Sequence, residues 1–299
     1  SCPKQERGEL TKTISQTKEK FSKALKNGNI DKAEKAVSEI LETVSRDQKK
    51  EQKHFENTEL RKIMEDQMFL DCFGCDIDYS LGKNFADFAD QFSKDSRYRT
   101  ELYKLRRKFM SHADGLIHAD LHTSNIMASR DKMKVIDMEF AFMGPFGYDL
   151  GYLVGNLISQ YCAACFKRFP SEQNRKQFKA YLLATIKSLI ETYMKTFTLC
   201  WERSVKERYR GQQGLLQSIL QEVMVDMPGY ASMVNWFRSV SDIPYPDFDV
   251  IENKDAKRNA TVLSLMIDWG IMFGRYKYQS ADDLIETIIG IEEEFRKSL

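Results

Sequence analysis

Residues 116–127 read Leu-Ile-His-Ala-Asp-Leu-His-Thr-Ser-Asn-Ile-Met, and residues 135–139, past a short polar stretch, read Val-Ile-Asp-Met-Glu. Asp120 and Asn125 stand five residues apart, and Asp137 follows twelve residues after Asn125. Kinase-type phosphoryl transfer needs a carboxylate to take the proton of the attacking hydroxyl. It also needs an amide and a second carboxylate to hold Mg²⁺ on the nucleotide phosphates. This stretch supplies all three from a few short strands and the loops between them. Gly115–His118, Asn125–Ala128 and Met133–Ile136 read as three short strands, with Ser129–Lys132 as a hairpin turn.

Each residue has a role that its chemistry suggests. Asp120, in a polar loop after a strand, is the candidate general base. His118 and His122 flank it, and a neutral imidazole with both nitrogens engaged is a common brace for such a loop. Asn125 offers a hard oxygen to Mg²⁺, Asp137 a charged one at the end of the third strand, and Glu139 another that projects the same way two residues on. Turns favour polar residues in any case, so each of these alone is explained by its position in a hairpin. The ordered set of His-x-Asp, Asn five residues on, a hairpin and an acidic residue after an apolar strand carries the specificity. Zinc or iron held by His118, Asp120 and His122 is the competing reading of the same residues. The Asn placed where a kinase-type loop wants one favours phosphoryl transfer.

Outward from this stretch the chain reads as helix. Phe88, Phe92, Leu102, Leu105 and Phe109 fall at helical spacings and are expected in the core. Gly144–Gly147 reads as a turn, and Tyr148–Phe166 as an apolar helix. Helices are expected over about 174–209, 211–226, 254–278 and 281–297, with loops at Asp226–Gly229 and Ile243–Asp247. Residues 9–50 predict two helices, the first striped by Leu10, Ile14, Phe21 and Leu25 and the second by Ala33, Val37, Ile40, Leu41 and Val44. A charged helical segment over 1–54 followed by one unit over 55–299 is the expected organisation. The fold class is mainly α (α+β), with one small β element carrying the polar cluster.

In 299 residues, 45 Lys and Arg nearly cancel 44 Asp and Glu, so no overall basic field points to nucleic acid. Lys104-Leu-Arg-Arg-Lys108 reads as a solvated helix face. No run of about 18 apolar residues predicts a membrane span, and the charged first 30 residues lack an apolar signal core. A soluble, cytoplasmic protein is expected. Of six cysteines, Cys72/Cys75 and Cys162/Cys165 have the spacing of zinc-site pairs. Their separation in the chain, and the apolar setting of the second pair, predict reduced structural thiols instead.

These residues resemble the aminoglycoside-phosphotransferase and choline-kinase branch of protein-kinase-like enzymes. Within it the resemblance is closest to the methylthioribose kinase family. Its carriers are LIHADLHTSNIM (116–127), VIDMEFAF (135–142), GPFGYDLG (144–151) and FENTELRKIMED (55–66). The resemblance runs from about residue 55 to about 285, strongest over 116–157. It implies the helical C-terminal lobe of a kinase-like fold and ATP with Mg²⁺. It further implies phosphorylation of the anomeric hydroxyl of 5-methylthioribose in methionine salvage, or of another sugar or alcohol. Asp120 carries over as the base, Asp137 and Glu139 as the metal-binding acids, and Asp149 as the acid that steadies the catalytic loop. A late double arginine grips the sugar in the family; the comparable stretch here, Gly270–Lys277, keeps Arg275 as the expected substrate contact. The family's glycine after the catalytic histidine is Ala119, which reads as a small change.

Before residue 115 no strand–glycine loop–strand pattern and no apolar run ending in lysine is found. The N-terminal β lobe is therefore expected to be absent from these 299 residues, as in a partial or inactive kinase. The alternative is a non-catalytic module of the same fold, its exposed lobe interface covered by residues 9–50 or by a second chain in a homodimer.

Overall fold

The packing of two helices sets the frame for the loop at 118–125. A computed structural model describes residues 56–70, 83–241 and 245–299, and residues 57–299 make one compact unit. The helices expected over 9–50, the boundary at 54 and the Cys72/Cys75 pair lie outside the described residues. The first frame helix, Gly147–Phe166, is buried on nearly all sides, as expected for a helix that is apolar all round. It lies against Gln213–Val240. Two glycines allow the approach: a Cβ at Gly151 would stand 2.6 Å from the Met227 carbonyl oxygen, and one at Gly155 2.6 Å from that of Ala231.

The contact also explains why the loop expected at Asp226–Gly229 is helix. Pro228 sits inside Gln213–Val240, and Met227, Pro228 and Gly229 are all buried. Tertiary burial on both sides outweighs the lost backbone donor and the poor helix propensity of this pair. The later helices keep their expected places but not their ends. Glu172–Ser204 stops short of 209 and is followed by a 3₁₀ turn at Glu207–Tyr209, and Lys254–Gly274 stops short of 278. Pro246–Asp249 is a short helix where a loop was expected.

In chain order the helices are α1 Thr58–Glu65, α2 Lys83–Lys94, α3 Ser96–Ser111, α4 Gly147–Phe166, α5 Glu172–Ser204, α6 Gln213–Val240, α7 Pro246–Asp249, α8 Lys254–Gly274 and α9 Ala281–Ser298. Their starts are written in the sequence. Asp95 accepts from Arg97 N at 2.8 Å to open α3, Asn253 accepts from Ala256 N at 2.9 Å to open α8, and Ser280 with Asp283 forms a capping box on α9. One apolar cluster, including Val154, Ile158, Ile186, Leu263, Ile267 and Ile288, joins α4, α5, α6, α8 and α9. A second, aromatic cluster with Phe69, Tyr98, Phe109, Tyr148, Tyr230 and Trp236 lies under α3, α4 and α6. Leu102, Leu105 and Phe109 are in it, but Phe88 is 41% exposed and Phe92 only partly buried. Phe88 instead lines an open apolar groove with Met266 and Trp269.

The β content is two separate two-stranded antiparallel sheets among the described residues, not one three-stranded element. β1 (Gly115–Ile117) pairs with β4 (Phe142–Gly144), Ile117 opposite Phe142. β2 (Ile126–Ala128) pairs with β3 (Met133–Val135), Ile126 opposite Val135. The stretch expected as a turn thus begins as a strand, with Pro145 and Phe146 left to turn the chain into α4. The basic run 104–108 is also more than a solvated face: Lys104 pairs with Glu101, Arg106 with Glu65, and Lys108 with Glu222 and Asp226. Cys162 and Cys165 are buried free thiols on α4 whose ionisation burial pushes up, the setting of inert structural cysteines.

Candidate active site

β1 delivers the chain to His118, where it is caught from below by the first turn of α4. Asp149 Oδ2 accepts from the His118 backbone N at 2.6 Å, and Oδ1 from Ala119 N at 2.9 Å. A carboxylate in the first turn of a helix is favoured by the dipole, and here it also satisfies two loop donors. Burial pushes the Asp149 carboxyl above its usual range, against the pull of those two N–H groups. Ala119 between them has φ 68° and is fully buried. The glycine of the family pattern suits that left-handed conformation, where an alanine costs roughly 1–2 kcal/mol. The change is therefore not small for the backbone, although its methyl adds to the aromatic cluster.

The His118 ring is committed at both ends. Asp120 N donates to Nδ1 at 3.3 Å, and Nε2 lies 2.8 Å from the Ile136 carbonyl oxygen. Nδ1 is thus the acceptor and Nε2 the donor, and neither is free to ligate zinc or iron. Asp120 follows with its side chain 19% exposed. Its Oδ1 accepts from the Tyr152 hydroxyl at 2.8 Å, and its Oδ2 is 3.5 Å from His122 Nε2. Burial pushes its carboxyl up, but the bonds from His122 and Tyr152 outweigh it and leave the group below the usual carboxylate range. An ionised carboxylate therefore stands in this loop at neutral pH.

Asn125, 5% exposed, closes a 3₁₀ turn rather than opening a strand. Its Nδ2 donates to the Asp120 carbonyl oxygen at 3.0 Å, which leaves Oδ1 as the end of the amide not used by the loop. Its own carbonyl accepts from Ile136 N at 3.0 Å. Ile136, bonded to His118 and to Asn125, therefore brings Asp137 up to the Asp120 loop. Asp137 is left-handed, φ 66° and ψ 52°, and leads a 3₁₀ turn over Met138–Phe140. Asp tolerates that conformation better than most residues. Asp137 and Glu139 are thus not same-face positions of one strand. Both are exposed, and neither meets a cation among the described residues. The set of Asn125, Asp137 and Glu139 is all oxygen, which fits a hard Mg²⁺ ion better than zinc.

Arg275 is not brought to this loop. It is 2% exposed, with Nη2 on Glu101 Oε2 at 2.9 Å and Nη1 on the Val225 carbonyl at 3.2 Å and 3.7 Å from Asp226 Oδ1. Leaving that pocket would strand buried carboxylates, so a substrate contact is replaced by a structural one. Three residues not singled out in the sequence do reach the site. Tyr152 and Asn156 lie three and seven residues after Asp149, on the same face of α4; Asn156 Oδ1 accepts from Thr123 N at 3.4 Å. That helical spacing was the signal available. Asn57, inside the 55–66 stretch, donates from Nδ2 to the carbonyls of Glu139 at 2.7 Å and Ala141 at 3.2 Å, fixing the acidic turn.

The sequence profile of the phosphotransferase enzyme family (APH) matches residues 75–189, which hold the whole loop and the acidic turn. The chain carries a phosphotransferase-family domain. Among the described residues the mainly helical build, with small two-stranded sheets, is that of a protein-kinase-like fold. The chain is 32% identical over 250 residues to a methylthioribose kinase of Geobacillus thermodenitrificans, covering 82% of this chain and 60% of that one. It is 33% identical over 241 residues to a methylthioribose kinase of Geobacillus kaustophilus, covering 79% and 57%. With the enzyme of that name from Bacillus cereus strain B4264 it shares 29% over 228 residues, covering 76% and 55%. The chain thus spans a little over half the length of these relatives. Among the described residues no helix is long and apolar enough to cross a membrane.

Proposed function

We propose that this chain forms the catalytic part of a small-molecule kinase that transfers the γ-phosphoryl group of ATP to the anomeric hydroxyl of 5-methylthioribose. The observation that carries the reading is Asp120. It is an ionised carboxylate with one oxygen on a partly open side, in a loop that Asp149 and Asn156 hold from α4. Asp120 accepts the proton of the attacking hydroxyl as the oxygen–phosphorus bond forms and the bond to the bridging oxygen of ADP breaks. Mg²⁺, when bound, neutralises the phosphate charge; Asn125, Asp137 and Glu139 would hold it. His118 keeps the loop backbone in place, His122 faces Asp120 Oδ2, and Asp149 fixes the turn beneath. The relatives' names support the thiosugar acceptor, while the buried Arg275 leaves the sugar-gripping residues of this chain open to another assignment.

The second reading is a binding module without transfer. It is favoured by the exposed apolar side chains of the hairpin and the turn after it, Met127, Met133, Val135, Ile136 and Met138, which are 43–69% exposed. The two separate by incubating the chain with Mg·ATP and, in turn, 5-methylthioribose, other pentoses and amino-alcohols. The enzyme reading expects phosphorylated thiosugar above the other acceptors. Transfer to an amino-alcohol alone would reassign the substrate, and no transfer to any acceptor by folded protein would favour the module.

A further inference from the structure

The loop around Asp120 is bound to one face of α4 at three successive heights. Asp149 takes the backbone N–H groups of His118 and Ala119, and Asn156 takes that of Thr123. Between them Tyr152 meets not the backbone but the carboxylate itself. Its ring is buried at 6% exposure and packs 5.9 Å from Tyr148. A phenylalanine would fill that space equally well. The hydroxyl therefore adds nothing to packing; what it adds is one charge-assisted bond to Oδ1. Burial and the charge of Asp120 raise the Tyr152 phenol well above its ordinary range, so it stays a donor. Asn156 Nδ2 in turn bonds the Tyr152 carbonyl at 3.0 Å, which ties both residues to one rigid turn.

We propose that Tyr152 is a positioning residue for the base. By holding Oδ1 it fixes the carboxylate's rotation and leaves Oδ2, on the His122 side, as the one atom offered to the acceptor hydroxyl. This rests on the reading of Asp120 as the base. Without the phenol the carboxylate would turn about its Cβ–Cγ bond and offer either oxygen, so fewer encounters would have the geometry transfer needs.

The test is Tyr152→Phe in the full chain, read two ways. In crystals, the Asp120 carboxylate should hold a single orientation in the parent and split or rotate in the variant. In transfer assays kcat should fall roughly 10- to 100-fold, with KM for ATP and acceptor within about 2-fold. Tyr152→Phe should then cost nothing further in an Asp120→Asn background. A single, unrotated carboxylate in the variant overturns the proposal, as does an unchanged kcat where Asp120→Asn abolishes transfer. If the parent transfers no phosphate, or Asp120→Asn stays active, the reading of the base fails instead. The crystallographic comparison then still decides whether Tyr152 orients the side chain.

Discussion

The two halves of the candidate site are built in opposite ways. The half around Asp120 is cross-braced: His118 and Asn125 are buried, and Asp149, Tyr152 and Asn156 hold the loop from a helix that is itself locked onto α6. The half around Asp137 and Glu139 stands on a two-stranded hairpin whose residues 131–139 are all exposed, anchored through Ile136 and Asn57. A proton acceptor gains from being fixed and partly desolvated, since its position and ionisation set the rate. Carboxylates that must receive a hydrated cation and a nucleotide phosphate gain from open access, and Mg²⁺ keeps several of its waters when bound. The contrast predicts that losing the buried backbone ties of the first half acts on the fold, whereas changes in the second act on metal use alone.

The largest effect on stability should come from Asp149→Ala, which strands the buried N–H groups of His118 and Ala119. A loss of about 2–5 kcal/mol is expected from denaturant unfolding; a loss under about 0.5 kcal/mol, the range of surface changes, would mean that α4 does not hold the loop. Next is Asp268→Asn, in the buried scaffold. Asp268 Oδ1 accepts from Asn235 Nδ2 at 2.8 Å, its Oδ2 has no partner among the described residues, and burial pushes its carboxyl well above the ordinary range. The folded state keeps this proton after the unfolded chain has released it, so the parent loses stability as pH rises above about 4. The variant should be more stable than the parent at neutral pH, by a margin that grows from pH 4 upward at up to about 1.4 kcal/mol per pH unit. A margin independent of pH would show that Asp268 is charged in the fold. The smallest effect on stability belongs to Asp137→Asn and Glu139→Gln, within about 0.5 kcal/mol as for other exposed positions. The Mg²⁺ concentration for half-maximal transfer should nevertheless rise, and an unchanged requirement would remove these residues from the metal site.

The same contrast separates what the sequence made legible from what it did not. The order His-x-Asp, Asn, hairpin, Asp-x-Glu stood out because few local structures need all of those groups at that spacing. The helical scaffold was legible from apolar periodicity. What escaped depends on contacts between distant segments. Pro228 and Gly229 read as a loop because local propensity says nothing of Leu105 and Arg275 against Gly229, or of Gly151 against Met227 and Tyr230. Arg275 was expected at the substrate only because the resemblance aligns it with the family's late double arginine, and its burial beside Glu101 is not visible in sequence. The strand at Phe142–Gly144 is too short for a period and exists through pairing with β1. Ala119 passed as a near-equivalent of glycine because only the backbone reveals a positive φ.

The most direct test of the account is phosphoryl transfer from Mg·ATP by the parent and by Asp120→Asn, at matched folding. An asparagine at 120 can keep the Tyr152 bond through its oxygen but cannot take the proton. Transfer should therefore fall by about 10² to 10⁴-fold, the range for a positioned general base, with thermal stability nearly unchanged. An Asp120→Asn variant that transfers phosphate at the parent's rate would contradict the account.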